Sequence, residues 1–102
     1  MYRGTTPEII ITLPESVDVS DITAAYLTFT QRPSLQFTKE LSAMTIDAVA
    51  NTVMVRLTQE ETLQFNENQN LSFQLRFIAD GNAYATQIFT EPAGRILKDG
   101  AI

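Results

Sequence analysis

The run Leu71–Thr90, LSFQLRFIADGNAYATQIFT, constrains this chain more than any other stretch. Leu71, Phe73, Leu75 and Phe77 alternate with Ser72, Gln74 and Arg76, a period of two that builds one apolar face only on an extended strand. Asp80-Gly81 follows, the dipeptide favoured in a type I′ turn because both central residues need positive φ. A two-residue loop pairs Phe77 with Tyr84, Leu75 with Thr86 and Phe73 with Ile88. A three-residue loop with a bulge would set Phe89 across from Phe73 instead. The first register is preferred, because Asn82 already departs from the hydrophobic pattern.

The same period recurs upstream. Ile9, Ile11 and Leu13 share a face until Pro14, which cannot donate to a ladder, closes the run. After the polar connection PESVDVSDI, Ala25, Leu27 and Phe29 point one way and Tyr26, Thr28 and Thr30 the other. Beyond the RPS break, Leu35 and Phe37 turn inward and Gln36 and Thr38 outward. AMTIDAV, a turn near ANT, and VMVRLT come next, with Val53, Val55 and Leu57 opposed to Met54, Arg56 and Thr58. Helical spacing fits none of these segments. With 102 residues, 44% of them hydrophobic, the chain suffices for a single core without disulfide staples. Six to eight short strands with turn signals between them predict an all-β fold, an antiparallel β-sandwich of immunoglobulin-like architecture. The Cys…Trp…Cys core of true immunoglobulin domains is missing, since both residue types are absent. Residues 1–102 read as one domain, with short arms at both termini.

The lack of Cys and His removes thiolate nucleophiles, imidazole bases and the usual ligands of zinc, copper and haem. A formal charge of −5 with scattered Lys and Arg points away from nucleic acid. No run of about 20 apolar residues suggests a membrane span. The opening MYRGTTPEIIITLP lacks the pattern of a signal peptide, so the expected location on synthesis is cytoplasmic. The one side-by-side acidic pair is Glu60-Glu61, in LTQEETLQF. Adjacent carboxylates diverge on a helix or a strand, whereas acid–base pairs must converge on a substrate. Thr58-x-x-Glu61 instead matches a capping box. It predicts a short helical turn near residues 59–64, with Leu63 and Phe65 tucked onto the core. Asp18 and Asp21 lack calcium-loop spacing and read as a turn. No catalytic residue, cofactor or metal is expected, and the chain reads as a non-enzyme.

Candidate interface residues remain. Arg76, beside Gln74 on the outward face of its strand, is of the type enriched in interface cores. The termini place Tyr2, Arg3, Arg95, Ile96 and Leu97 beside Gly and Pro, as contact arms would. Carbohydrate binding wants exposed aromatic platforms. Trp is absent, and Tyr2, Tyr26 and Tyr84 are partly taken up by strand packing.

Taken together, MYRGTTP, LTQEETLQF, the FQLRF…DG hairpin and the GRILKDG tail resemble small prophage-encoded proteins of Gram-positive gut bacteria, whose genes lie among phage structural genes. The resemblance spans nearly the whole chain, and its motifs are structural. The strand pattern is also similar, at fold level, to the immunoglobulin-like N-terminal domain of phage baseplate upper proteins, without their long receptor-binding extension. The resemblance implies a virion or assembly protein of tail or baseplate type, located in the virion. It would act through protein–protein contacts, either as a homo-oligomer or with other virion proteins. The alternative is a β-sandwich module that binds a small ligand or carbohydrate.

Overall fold

The period-two runs become strands in the computed structural model, which describes residues 1–102. β1 (Glu8–Thr12), β4 (Met44–Asp47) and β5 (Thr52–Arg56) form one sheet in the order β1-β5-β4. β2 (Ile22–Gln31), β3 (Leu35–Glu40), β6 (Asn70–Ala79), β7 (Asn82–Ala85) and β8 (Phe89–Pro92) form the other. Its order is β3-β2-β6, with β7 and β8 sharing the far edge of β6. Every paired strand is antiparallel. The likeness to immunoglobulin domains is one of architecture. Here β2 and β3 form a hairpin in one sheet, where the immunoglobulin order divides its second and third strands between two.

Connections follow a simple division. Tight turns join β2 to β3, β4 to β5 and β6 to β7 within a sheet, and each passage between sheets carries a helical turn. A 3₁₀ turn at Val19–Asp21 leads from β1 to β2, and another at Leu41–Ala43 leads from β3 to β4. α1 (Gln59–Leu63) leads from β5 to β6. Asp18 caps the first turn by accepting from the Ser20 amide at 2.9 Å.

The core lies where β2 and β6 face the smaller sheet. Ala25 pairs with Phe77, Leu27 with Leu75 and Phe29 with Phe73, and all six side chains are buried. Phe29 stacks on Phe37 at 5.0 Å between ring centroids and lies 5.5 Å from Phe73. Ile11, Val53 and Val55 close the core from the other sheet. Burial of each such side chain contributes about 1.5–3 kcal/mol.

The β6–β7 turn has φ values of +49° at Asp80 and +78° at Gly81, the signs of a type I′ turn, and Phe77 pairs with Tyr84 as expected. Farther from the turn the register differs from the expectation. Phe73 pairs with Phe89, not Ile88. An extra residue within Ala85–Ile88 makes a bulge, which the Thr86 amide anchors by donating to the Leu75 carbonyl at 2.9 Å. Packing explains the shift. It turns the Phe89 ring inward, 5.3 Å from that of Phe73, and leaves Ile88 outside at 64% exposure.

Both ends read as arms lie against the sandwich. The Gly94 amide donates to the Met1 carbonyl at 2.7 Å, and the Arg3 amide to the Gly94 carbonyl at 3.2 Å. The Tyr2 ring lies so close to Gly94 that a Cβ there would meet it at 2.5 Å, so only glycine permits this contact. At the other end, the Ile102 amide donates to Gln59 Oε1 at 2.7 Å.

Asn51 joins the β4–β5 turn to the β1–β2 connection. Its φ is +57°, a conformation that Asn tolerates better than most residues. Its Oδ1 accepts from the Val19 amide at 2.9 Å, and its Nδ2 donates to the Val17 carbonyl at 2.8 Å. We expect Asn51→Ala to lower the free energy of unfolding by about 2–4 kcal/mol in urea titrations, through lost hydrogen bonds and backbone strain. Asn51→Gly, which keeps the backbone conformation at ease, should cost less than Asn51→Ala. Equal losses would show that the positive φ contributes nothing.

Candidate interaction surface

Of the acidic pair, Glu61 is engaged in holding the fold. The Thr58 hydroxyl accepts from the Glu61 amide at 3.1 Å, and the Thr58 amide donates to Glu61 Oε1 at 2.8 Å, closing the capping box. The Lys39 ammonium, on β3, meets both Glu61 carboxylate oxygens at 3.0 and 2.9 Å and ties α1 to the larger sheet. Burial pushes the Glu61 carboxyl up. The Thr58 amide, the Lys39 ammonium and the Thr58 hydroxyl outweigh it, so the pKa falls below the ordinary glutamate value. Glu60 is exposed and makes no ion pair. The residue of α1 that enters the core is Thr62, fully buried, whose hydroxyl donates to the Thr5 carbonyl at 2.9 Å. Phe65 is buried as expected, but Leu63 is only half-buried, because the short turn brings Thr62 inward in its place.

Arg3 is also committed to α1. Its Nε donates to the Phe65 carbonyl at 2.6 Å and its Nη2 to the Leu63 carbonyl at 2.9 Å. A guanidinium at this position satisfies carbonyls that the end of the turn leaves free, where negative partial charge gathers. Asp99 lies 3.4 Å from its Nη1. Around it, Tyr2, Arg95 and Leu97 are exposed and Ile96 is half-buried. Arg3, Arg95 and Ile96 line a shallow hollow of about 440 Å³ with Asn66 and Asp99.

Gln74 and Arg76 belong to a separate surface, the outer face of the five-stranded sheet. The strand registers set its side chains in rungs. Glu40, Tyr26, Arg76 and Ala85 form one, crossing β3, β2, β6 and β7. Thr38, Thr28 and Gln74 form the next, with Thr28 and Thr38 hydroxyls 3.0 Å apart. Gln36, Thr30, Ser72 and Thr90 form the third. Tyr26 is 47% exposed, and Arg76 is exposed with no ion-pair partner. Beside them a trough of about 700 Å³ runs past Thr28, Thr30, Ser72 and Gln74, with Arg32 and Ile88 at its rim.

The seven candidate residues therefore fall into two groups that no hydrogen bond or ion pair joins. Tyr26 is the residue the sequence undervalued. Its outward phase is legible, but its place beside Arg76 depends on β2 pairing with β6. Tyr26 and Arg76, with Glu40 as the other charge of their rung, sit among hydroxyls and amides, and Tyr and Arg are the two residue types of this face that are enriched at protein contact surfaces. Every buried side-chain nitrogen and oxygen has a partner, and no three metal-ligating side chains converge. No helix is long and apolar enough to cross a membrane.

Glu61 also gives a pH prediction. Because its folded-state pKa is depressed, its contribution is present above the unfolded value, about 4.3, and is lost as the pH falls through the folded value. Glu61→Gln, which keeps the cap but loses the charge, should flatten that part of the acid limb in denaturant titrations from pH 6 to 2. Glu60→Gln should leave the profile unchanged. An acid limb identical in wild type and Glu61→Gln would count against the Lys39 pairing. In comparisons with known proteins, no family model, no curated protein and no solved structure matches this chain.

Proposed function

We propose that this chain is a non-enzymatic structural or assembly protein of a phage or prophage, of tail or baseplate type, working through protein–protein contacts. The observation that carries the contact reading is the exposed Tyr26–Arg76 pair, set side by side on a sheet face of hydroxyls and amides. A free guanidinium next to an exposed phenol on a rigid central strand pair is a natural anchor for a partner surface. The non-enzymatic reading is supported by the commitment of Glu61 to a cap and an ion pair. The phage assignment rests on the resemblance of the four segments, and the partners would be other copies of the chain or other virion proteins. A second reading is favoured by the trough. Its hydroxyl and amide lining suits the hydroxyls of a neutral saccharide.

The test is incorporation. When a prophage carrying the gene is induced, the chain should band with density-purified particles or tails. Arg76→Glu should reduce its incorporation by about tenfold or more while leaving its melting temperature unchanged. Particles that lack the chain, and that form normally when its gene is deleted, would refute the assignment. Saccharide binding in calorimetry that is abolished by Gln74→Ala would favour the second reading.

A further inference from the structure

β1 is a free edge of the three-stranded sheet. Its phase follows from two hydrogen bonds at the ends of the pairing. The Leu57 amide donates to the Pro7 carbonyl at 3.0 Å, and the Leu13 amide to the Asn51 carbonyl at 3.0 Å. Odd-numbered positions therefore face β5, and Glu8, Ile10 and Thr12 turn their amides and carbonyls away from the sheet. Those six groups make no turn, cap or side-chain-mediated bond.

Natural edges are usually blunted by charge, bulges, Pro or short length. β3 carries Lys39 and Glu40, β4 and β7 have four residues each, β7 runs into a bulge, and β8 ends in Pro92. β1 has three successive isoleucines, its one charge is Glu8 at the end of the strand, already paired with Arg56, and its prolines lie outside it at Pro7 and Pro14. Ile10 is 63% exposed. An apolar cleft of about 250 Å³ also opens between β1 and the β7–β8 edge, lined by Ile11, Leu13, Val17, Phe77, Tyr84 and Phe89. A strand added to β1 lies over its mouth.

We infer that β1 pairs antiparallel with β1 of a second copy, about a two-fold axis at Ile10, to make one continuous six-stranded sheet. In this register all six free groups of β1 find partners within the strand itself. Shifting it by two residues reaches outside the strand, to Thr6 in one direction and in the other to Pro14, which has no amide to offer the Glu8 carbonyl. It sets Ile10 against the partner's Ile10, with Met54 flanking on each side, in an apolar central row. Glu8, 3.3 Å from Arg56 in its own chain, faces the partner's Thr12, so no like charges meet. On the inner face, half-buried Ile9 meets the partner's Ile11. The pattern is complementary to itself, as an isologous interface requires. The inference does not rest on the phage reading, and either can fail without the other.

Sedimentation equilibrium of the full chain over a range of concentrations tests it. Wild type should show a reversible monomer–dimer equilibrium. Thr12→Lys places a cation opposite each Glu8 and should tighten the dimer, and Thr12→Glu should weaken it. Each change is expected to be about twofold to thirtyfold in dissociation constant. Ile10→Pro removes the two central donors from the outward side, where an edge strand tolerates Pro, and should leave a folded monomer. If circular dichroism shows that variant unfolded, the Thr12 pair decides the question on folded protein. A wild type that stays monomeric throughout would overturn the inference. So would a dimer that responds equally to Lys and Glu at position 12.

Discussion

β2 and β6, ten residues each, pair from Ile22 to Thr30 against Ala79 to Ser72, and their register decides which side chains of both strands are buried. Successive strand residues point to opposite faces, so a slip of β2 by one position against β6 would turn Leu27 and Phe29 to the face opposite Phe73 and Leu75. Tyr26 and Thr28 would be driven into the core in their place. Every other part of the larger sheet is placed by this pair. β3 joins β2, while β7 and β8 divide the outer edge of β6. The bulge at Thr86–Ile88 is the local adjustment that lets β8 follow the apolar face of β6 after a turn that sets a different phase.

The smaller sheet is held to this pair through the sheet-crossing connections, and single polar side chains secure them. Asn51 bonds the backbone of the β1–β2 connection. Glu61 caps α1 and reaches Lys39 on the opposite sheet. Gln31, 4% exposed at the end of β2, accepts from the Asn66 amide and donates to the Asn66 carbonyl at 2.9 Å. Asn51 and Gln31 supply partners for part-buried backbone groups, and leaving such a group unpaired costs about 1–3 kcal/mol. The crossovers thus depend on a few specific residues, whereas the strands depend on pattern.

That contrast also explains what the sequence reveals. The strand faces, the type I′ turn and the capping box are local, set by period two, Asp80-Gly81 and Thr58-x-x-Glu61, and all are legible in one dimension. Ile88 and Phe89 are adjacent apolar residues that either register could bury, so only the ring of Phe73 across the sheet decides between them. Asn51 reads as an ordinary turn residue because its bonding partners lie more than thirty positions earlier in the chain. The same limit applies to the surface. Arg76 and Gln74 are legible as outward residues, but Tyr26 joins them only through the β2–β6 register. Arg3 resembles a free basic residue on an arm until α1 supplies the carbonyls it bonds.

The two candidate surfaces both rest on the same pair. Tyr26 and Arg76 sit on its outer side, and the free β1 edge belongs to a sheet whose inner face rests on it. Native-state amide hydrogen exchange tests this dependence most directly. The slowest amides should lie in β2 and β6 and exchange only through global unfolding, while β1 and β4 open at lower free energy. A slowest-exchanging core in β1, β4 and β5, with β2 and β6 opening locally, would contradict it.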